Sequence, residues 1–140
     1  MIKKKAKKKR KHLPKLRTLR NKLDKLFNQY IRLRDGACIL TGEKENLSCS
    51  HYYDKKNNPY LRWDERNAHA MTIKKHWLHH HGKAPDYALW MFKTYGFKFM
   101  NKLSNDANRK VKYKRADYTR LIEIYNIKLI NIKEKLNAKN

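Results

Sequence analysis

Four residues of this chain have the types and spacing to cut a phosphodiester bond: His51, Asn67 sixteen residues later, and His76 and His80, four apart. Such hydrolysis needs an activated water, stabilisation of charge on the phosphate, and help for the leaving 3′ oxygen. A neutral imidazole can take a proton from water near neutral pH, and one divalent cation can meet the other two needs. Residues i and i+4 share a helix face, so His76 and His80 can grip a single ion, Mg²⁺ or Mn²⁺, with Zn²⁺ as an alternative at a histidine site. His51 is then left free to act as the base. Asn67 is expected to orient the loop or the histidine through its amide hydrogen bonds. Each residue also has an ordinary role: a polar strand end for His51, a cap for Asn67, and a solvated helix end for the run His79-His80-His81. Their joint spacing favours the catalytic assignment.

The charge balance points to the same substrate class. With 36 Lys and Arg against 12 Asp and Glu, the formal net charge is +24 in 140 residues and the pI is about 10.2. Counterion release rewards each neutralised phosphate, so tight but salt-sensitive binding to DNA or RNA is expected. Charge alone does not separate a nuclease from a ribosomal or chromatin-type protein. An apolar content of 40% allows one modest core. No run approaches the roughly 20 apolar residues that span a bilayer, and no apolar signal segment follows the charged start, so no membrane partner and a cytoplasmic location are expected. In a reducing compartment Cys38 and Cys49 are expected to be free thiols.

The elements that must position these residues are an α+β, mostly helical set. Residues 1 to 13 form a basic arm, expected to be flexible, in which Lys4, Lys8 and Arg10 contact phosphate. Residues 14 to 140 form one domain. Leu16, Leu19, Leu23, Leu26, Phe27, Tyr30 and Leu33 recur at helical spacing after Pro14, which predicts a helix over 14–35 ending at Asp35-Gly36. Ala37 to Leu40, a turn at Thr41-Gly42-Glu43, and Leu47 to Tyr53 predict a hairpin. The segment 70–80 predicts a helix ended by Gly82 and Pro85, so residues 37–82 hold a small strand, strand, helix core. Beyond Pro85 the chain reads as helical: two short helices meeting at Gly96, a polar connection over 104–115, and a last helix from Asp117. Ile127 and Ile130 widen the apolar side of that last helix, which is expected to pack on the domain or form a homodimer.

The stretch Leu47-Ser48-Cys49-Ser50-His51-Tyr52, followed by Leu61-Arg62-Trp63-Asp64-Glu65-Arg66-Asn67-Ala68-His69-Ala70, resembles the phage NinG (Rap) recombination proteins, whose segments read approximately GHY and LRxxxxNCHAQC. The similarity runs from about Leu26 to Leu103. It implies an HNH-like nuclease with a His-Me finger (ββα-metal) core that cleaves branched intermediates such as Holliday junctions and D-loops. In a phage context the location would be the bacterial host cytoplasm. His51 falls on the family's catalytic histidine and Asn67 on its central asparagine. His76 and His80 are similar in spacing to the colicin-type HNH nucleases. Tyr52, Tyr53, Arg62, Trp63, Arg66, Lys74 and Lys75 are expected to contact phosphate or unstacked bases.

Two departures stand out. The residue before the base is Ser50 where HNH enzymes often carry an Asp or His ligand, which leaves Ser50, Cys49, His69 and Asp64 as candidates for a third ligand. The family's two Cys-x-x-Cys knuckles read here as Cys38, Thr41, Thr72 and Lys75, and one thiolate cannot make a tetrahedral zinc site. No structural zinc is expected; Ile39, Leu40, Met71 and Trp77 should hold the unit by packing instead. The competing function is a non-catalytic nucleic-acid-binding protein on a degenerate HNH scaffold. Whichever function holds, deleting residues 1–11 should weaken binding to every DNA shape by a similar factor. Each lost phosphate contact removes about 0.9 from the slope of log K against log salt, so a titration at several salt concentrations checks this. An unchanged affinity and slope would make the arm a solubility tail.

Overall fold

The computed structural model of the protein describes residues 12–140. It is α+β and mostly helical, with a two-stranded antiparallel sheet and four helices. Helix α1 runs Leu16–Asp35 and buries Leu23, Phe27 and Ile31 along one stripe, the spacing that made it legible. It stops at Gly36, whose φ of 68° is the left-handed conformation that glycine adopts without a Cβ penalty, and whose N–H bonds Arg32 O at 3.0 Å.

Strand β1 spans Leu47–His51 and pairs with β2, Ala68–Thr72, in a register that sets Cys49 opposite Ala70 and His51 opposite Ala68. The expected hairpin partner was Ala37–Leu40, and this is corrected. That segment forms a tight turn in which Cys38 N bonds Glu43 O at 2.7 Å, and only Ile39 N reaches the sheet, at Ala70 O (3.0 Å). The strands are instead joined by a sixteen-residue connection with two short 3₁₀ turns, Pro59–Leu61 and Glu65–Asn67.

The helix expected from residue 70 begins later. Ala70 to Thr72 belong to β2, and α2 covers Ile73–His80, with Thr72 Oγ1 accepting from Lys75 N as its cap. The next helix, α3, runs Pro85–Ala107 and breaks at Gly96 (φ 79°, ψ 172°), so the two helices expected there are joined at that kink. It shortens the expected connection to 108–114, after which α4 runs Arg115–Asn137 along α1. Among the described residues no helix is long and apolar enough to cross a membrane.

Both faces of the small sheet are covered. Towards α1 and α4 lies a core of Leu23, Phe27, Ile31, Cys49, Trp63, Ala68, Tyr118, Ile122 and Tyr125. Towards α3 lies a second, with Cys38, Leu61, Met71, Tyr87, Met91, Met100 and Leu103, and with Ile39 and Leu40 packed against it. Trp77 takes no part in this packing: it is 53% exposed and stacks on His81 at 4.0 Å. The outer edge of β2 is closed by side chains, because Asp35 accepts from Ala70 N at 2.7 Å and Arg34 donates to Ala68 O at 2.8 Å. Phe27 is fully buried, meeting Tyr125 edge-on and His51 face-on. Phe27→Ala should therefore cost about 3–5 kcal/mol of stability in a urea titration. A loss under about 1 kcal/mol would mean that the first core does not depend on it.

Candidate active site

The free edge of β1 faces a cleft of about 450 Å³ between α1 and α2, lined among others by Asn28, Arg32, Cys49, His51, Lys55, His76 and His80. His51 ends β1 and is only 6% exposed. Its Nε2 lies 2.8 Å from Arg62 O. A carbonyl can only accept, so Nε2 carries the proton and Nδ1 holds the free lone pair. Burial, aided by the positive charges of Lys55 and Arg62 and opposed by the Arg62 hydrogen bond and Asp24, lowers its pKa to about 4. The ring is neutral at physiological pH.

Arg62 is held in turn. Its guanidinium forms a two-point pair with Asp24, Nε to Oδ1 at 3.0 Å and the terminal nitrogen to Oδ2 at 2.6 Å, while Trp63 Nε1 donates to the same carboxylate at 3.0 Å. Asp24 stays charged to lower pH than an ordinary carboxylate, since the Arg62 and Trp63 bonds outweigh its burial.

Asn67 is fully buried and does not reach His51 directly. Its Oδ1 accepts from Tyr53 N at 2.8 Å, and its Nδ2 donates to Tyr53 O at 2.9 Å and Leu61 O at 3.2 Å. These bonds tie the two ends of the 52–67 connection together. Asn67 is linked to the Arg62 carbonyl that meets His51 only through its bond to the preceding residue, Leu61.

His76 and His80 point at each other across one turn of α2, their Nε2 atoms 2.6 Å apart. Behind His76, Nδ1 is hydrogen-bonded to Ser48 Oγ. With the proton on Nδ1 and donated to Ser48, the Nε2 lone pair is turned towards His80. One cation shared by two imidazoles needs about 3 Å or a little more between the nitrogens, so a small opening of the pair would admit it. Burial first, then the neighbouring His80, His51, His79 and Lys55, lower the pKa of His76 to about 4. His79, between them in sequence, is used otherwise: its Nε2 donates to His51 O at 3.0 Å and Tyr52 O at 3.2 Å, fixing α2 on the end of β1.

The candidate third ligands are placed as follows. Cys49 lines the cleft, with burial raising its thiol to about 12. Ser50 is fully buried, its hydroxyl without a partner. His69 is held by Tyr87 Oη and Tyr95 Oη, both at 2.9 Å, and Asp64 is paired with Arg66 at 2.6 Å. Among the described residues no group of three or more His, Cys, Asp or Glu is arranged around one ion.

Of the expected nucleic-acid contacts, Lys74 is exposed. Arg62 is engaged with Asp24, Arg66 with Asp64 and Asp106, and Lys75 with Asp86. Tyr52 packs edge-on against Tyr53 and Tyr87. Lys4, Lys8 and Arg10 lie outside the described residues. Sequence reasoning did not single out Ser48, Arg32 or Lys55 as site residues, and only the adjacency of Ser48 and Lys55 to the histidine segment could have suggested them.

Three histidines, His51, His69 and His76, have pKa values lowered to about 4 by burial. As the pH falls below about 6.5, the unfolded chain binds protons that the folded one refuses, so stability declines from there down to about 4. Calorimetry from pH 7.5 to 5 should show a steadily falling melting temperature; a flat one would mean that these rings are solvated.

The profile of the family described as Bacteriophage Lambda NinG protein matches residues 1–135 of the chain. No curated protein and no solved structure matches it.

Proposed function

We propose that this chain, which belongs to the bacteriophage lambda NinG family, is a metal-dependent DNA endonuclease acting in phage recombination, with β1, β2 and α2 as its ββα-metal (His-Me finger) core. One observation carries the reading: His51, His76 and His80 line a single cleft that also holds Arg32 and Lys55. A phosphodiester supplies the negative charge that this cleft lacks.

His51 is suited to act as base through Nδ1, with Nε2 fixed on Arg62 O. Its burial keeps the ring neutral at physiological pH, the form that can accept a proton from water. Arg32 and Lys55, which line the same cleft, would hold phosphate oxygens. His76 and His80 fit as two neutral nitrogen ligands, and a divalent ion bound there would stabilise charge on the phosphate and on the leaving oxygen. The remaining coordination would fall to oxygens from outside the protein. Branched DNA, as the family resemblance implies, is the proposed substrate. A homodimer through α4 is proposed on the exposed Ile127 and Ile130.

A second reading, a DNA-binding protein without catalysis, is favoured by the lack, among the described residues, of a third ligand side chain beside His76 and His80. Labelled linear, forked and four-way DNA incubated with Mg²⁺, Mn²⁺ or a chelator separates the two. Ion-dependent cuts are expected, and none with any ion would leave only the second. His51→Ala should reduce cleavage by about two to four orders of magnitude while DNA affinity stays within a few-fold. His76→Ala and His80→Ala should each weaken Mn²⁺ binding, read by calorimetry, with excess Mn²⁺ restoring part of the activity. Comparable turnover in His51→Ala would remove it as the base.

A further inference from the structure

We propose that the face of α3 around the Gly96 kink is a stacking platform for an unpaired DNA strand. The proposal rests on DNA being the partner, as above, but not on catalysis. Between Asp86 and Asp106 the helix carries six aromatic residues and three lysines and no acid. The two flanking carboxylates are themselves neutralised, Asp86 by Lys75 at 2.6 Å and Asp106 by Arg66 at 2.9 Å.

Several of these rings are left to solvent. Phe97 is 75% exposed, one residue beyond the kink, and Phe92 and Tyr95 are exposed before it. Tyr95 and Phe99 stack with centroids 4.3 Å apart and line a shallow groove with Lys98 and Lys102. The hydroxyl of Tyr95 is anchored on His69 in β2, so this end of the platform is fixed to the sheet.

The chemistry of this surface selects its occupant. On this face a second copy of the chain would bring the same lysines and no acid, so self-association here is opposed by like charge. A DNA strand brings phosphates for the lysines. In a duplex the base faces are covered by their neighbours, whereas an unpaired strand offers them to exposed rings. The aromatic residues expected from sequence to do this, Tyr52, Tyr53 and Trp63, are instead spent on one another and on the core: Tyr52 meets Tyr53 edge-on, and Trp63 meets Tyr113 and Tyr118.

Fluorescence anisotropy with labelled oligothymidylate and with a fully paired duplex of the same length tests the proposal. Phe97→Ala removes a ring with little packing and should weaken the single strand by roughly 5- to 150-fold, the range for one stacked base, and the duplex by less than about twofold. Lys98→Gln with Lys102→Gln should lower the salt slope for the single strand. Oligonucleotides carrying 5-iodouracil should photocrosslink to Tyr95, Phe97 or Phe99. Crosslinks confined to other residues, equal losses on both DNA forms, or no loss in Phe97→Ala would overturn it. So would a Phe97→Ala variant that loses only binding to anionic vesicles, which would make the face a membrane surface. If the parent cuts no DNA but its single-strand binding depends on Phe97, the platform stands and the nuclease reading alone falls.

Discussion

The carboxamide of Asn67 closes the sixteen residues between β1 and β2, and the direction in which His51 points depends on that closure. A histidine at the end of a two-stranded sheet has no neighbouring strand to hold its ring. Here the ring is held from outside the sheet, by Arg62 O on one edge and Phe27 on one face. Arg62 can offer its carbonyl only while the connection keeps its path, with Asn67 holding Leu61 from within and Asp24 holding the Arg62 side chain from α1. Losing the Asn67 amide would strand the N–H and carbonyl of half-buried Tyr53, and each such orphan costs up to about 1–3 kcal/mol, while the Leu61 carbonyl would keep only its bond from Asp64 N. The path of the loop and the tautomer of His51 are thus one arrangement.

The cleft's electrostatics follow from the same packing. Burial keeps His51 and His76 neutral, which a base and a ligand both require, and Arg32 and Lys55 add positive charge to the lining. With no carboxylate among the lining residues named for this cleft, a cation alone meets repulsion from these side chains, whereas a phosphate meets attraction. Anion and cation together are the combination that the proposed chemistry would bring to this cleft. This sets it apart from a structural metal site, where the protein's own anionic ligands carry the compensation.

Helix α1 was legible because its apolar residues repeat along one stripe and Gly36 follows its end. The strands were harder. Ala37–Leu40 has the apolar run of a strand, but its backbone is satisfied by a local turn, and hydropathy cannot tell these apart. The true partner, Ala68–Thr72, lacks period-two alternation because all five residues are buried, and it ran on into the helical pattern of α2. The pairing of His76 with His80 was readable from their spacing, since i and i+4 adjacency is local geometry. Ser48 was not, because its bond to His76 spans 28 residues and depends on how α2 sits on β1. Arg62 and Arg66 looked like free cations for the matching reason: Asp24 and Asp106, which hold them, are far away in sequence.

Cys38, Thr41, Thr72 and Lys75 stand where the family resemblance implies Cys-x-x-Cys knuckles, and here other contacts hold the unit. Cys38 is buried, with hydrogen bonds from Thr41 and from the Thr72 backbone that outweigh desolvation and lower its thiol pKa, so two of the four positions remain neighbours of a third. Lys75, the fourth, reaches outward to Asp86 on α3. The load has moved to the flanking helices: Asp35 at the end of α1 takes the Ala70 N–H, Tyr87 of α3 bonds Ser50 O and His69, and Met71 is buried among α3 side chains. Strands of five residues with alanines and serines at their centre bury too little apolar area to stand alone. The geometry proposed as catalytic for β1, β2 and α2 therefore depends on the flanking helices as well, since α1 and α3 hold the small sheet beside which His51 and His76 line one cleft.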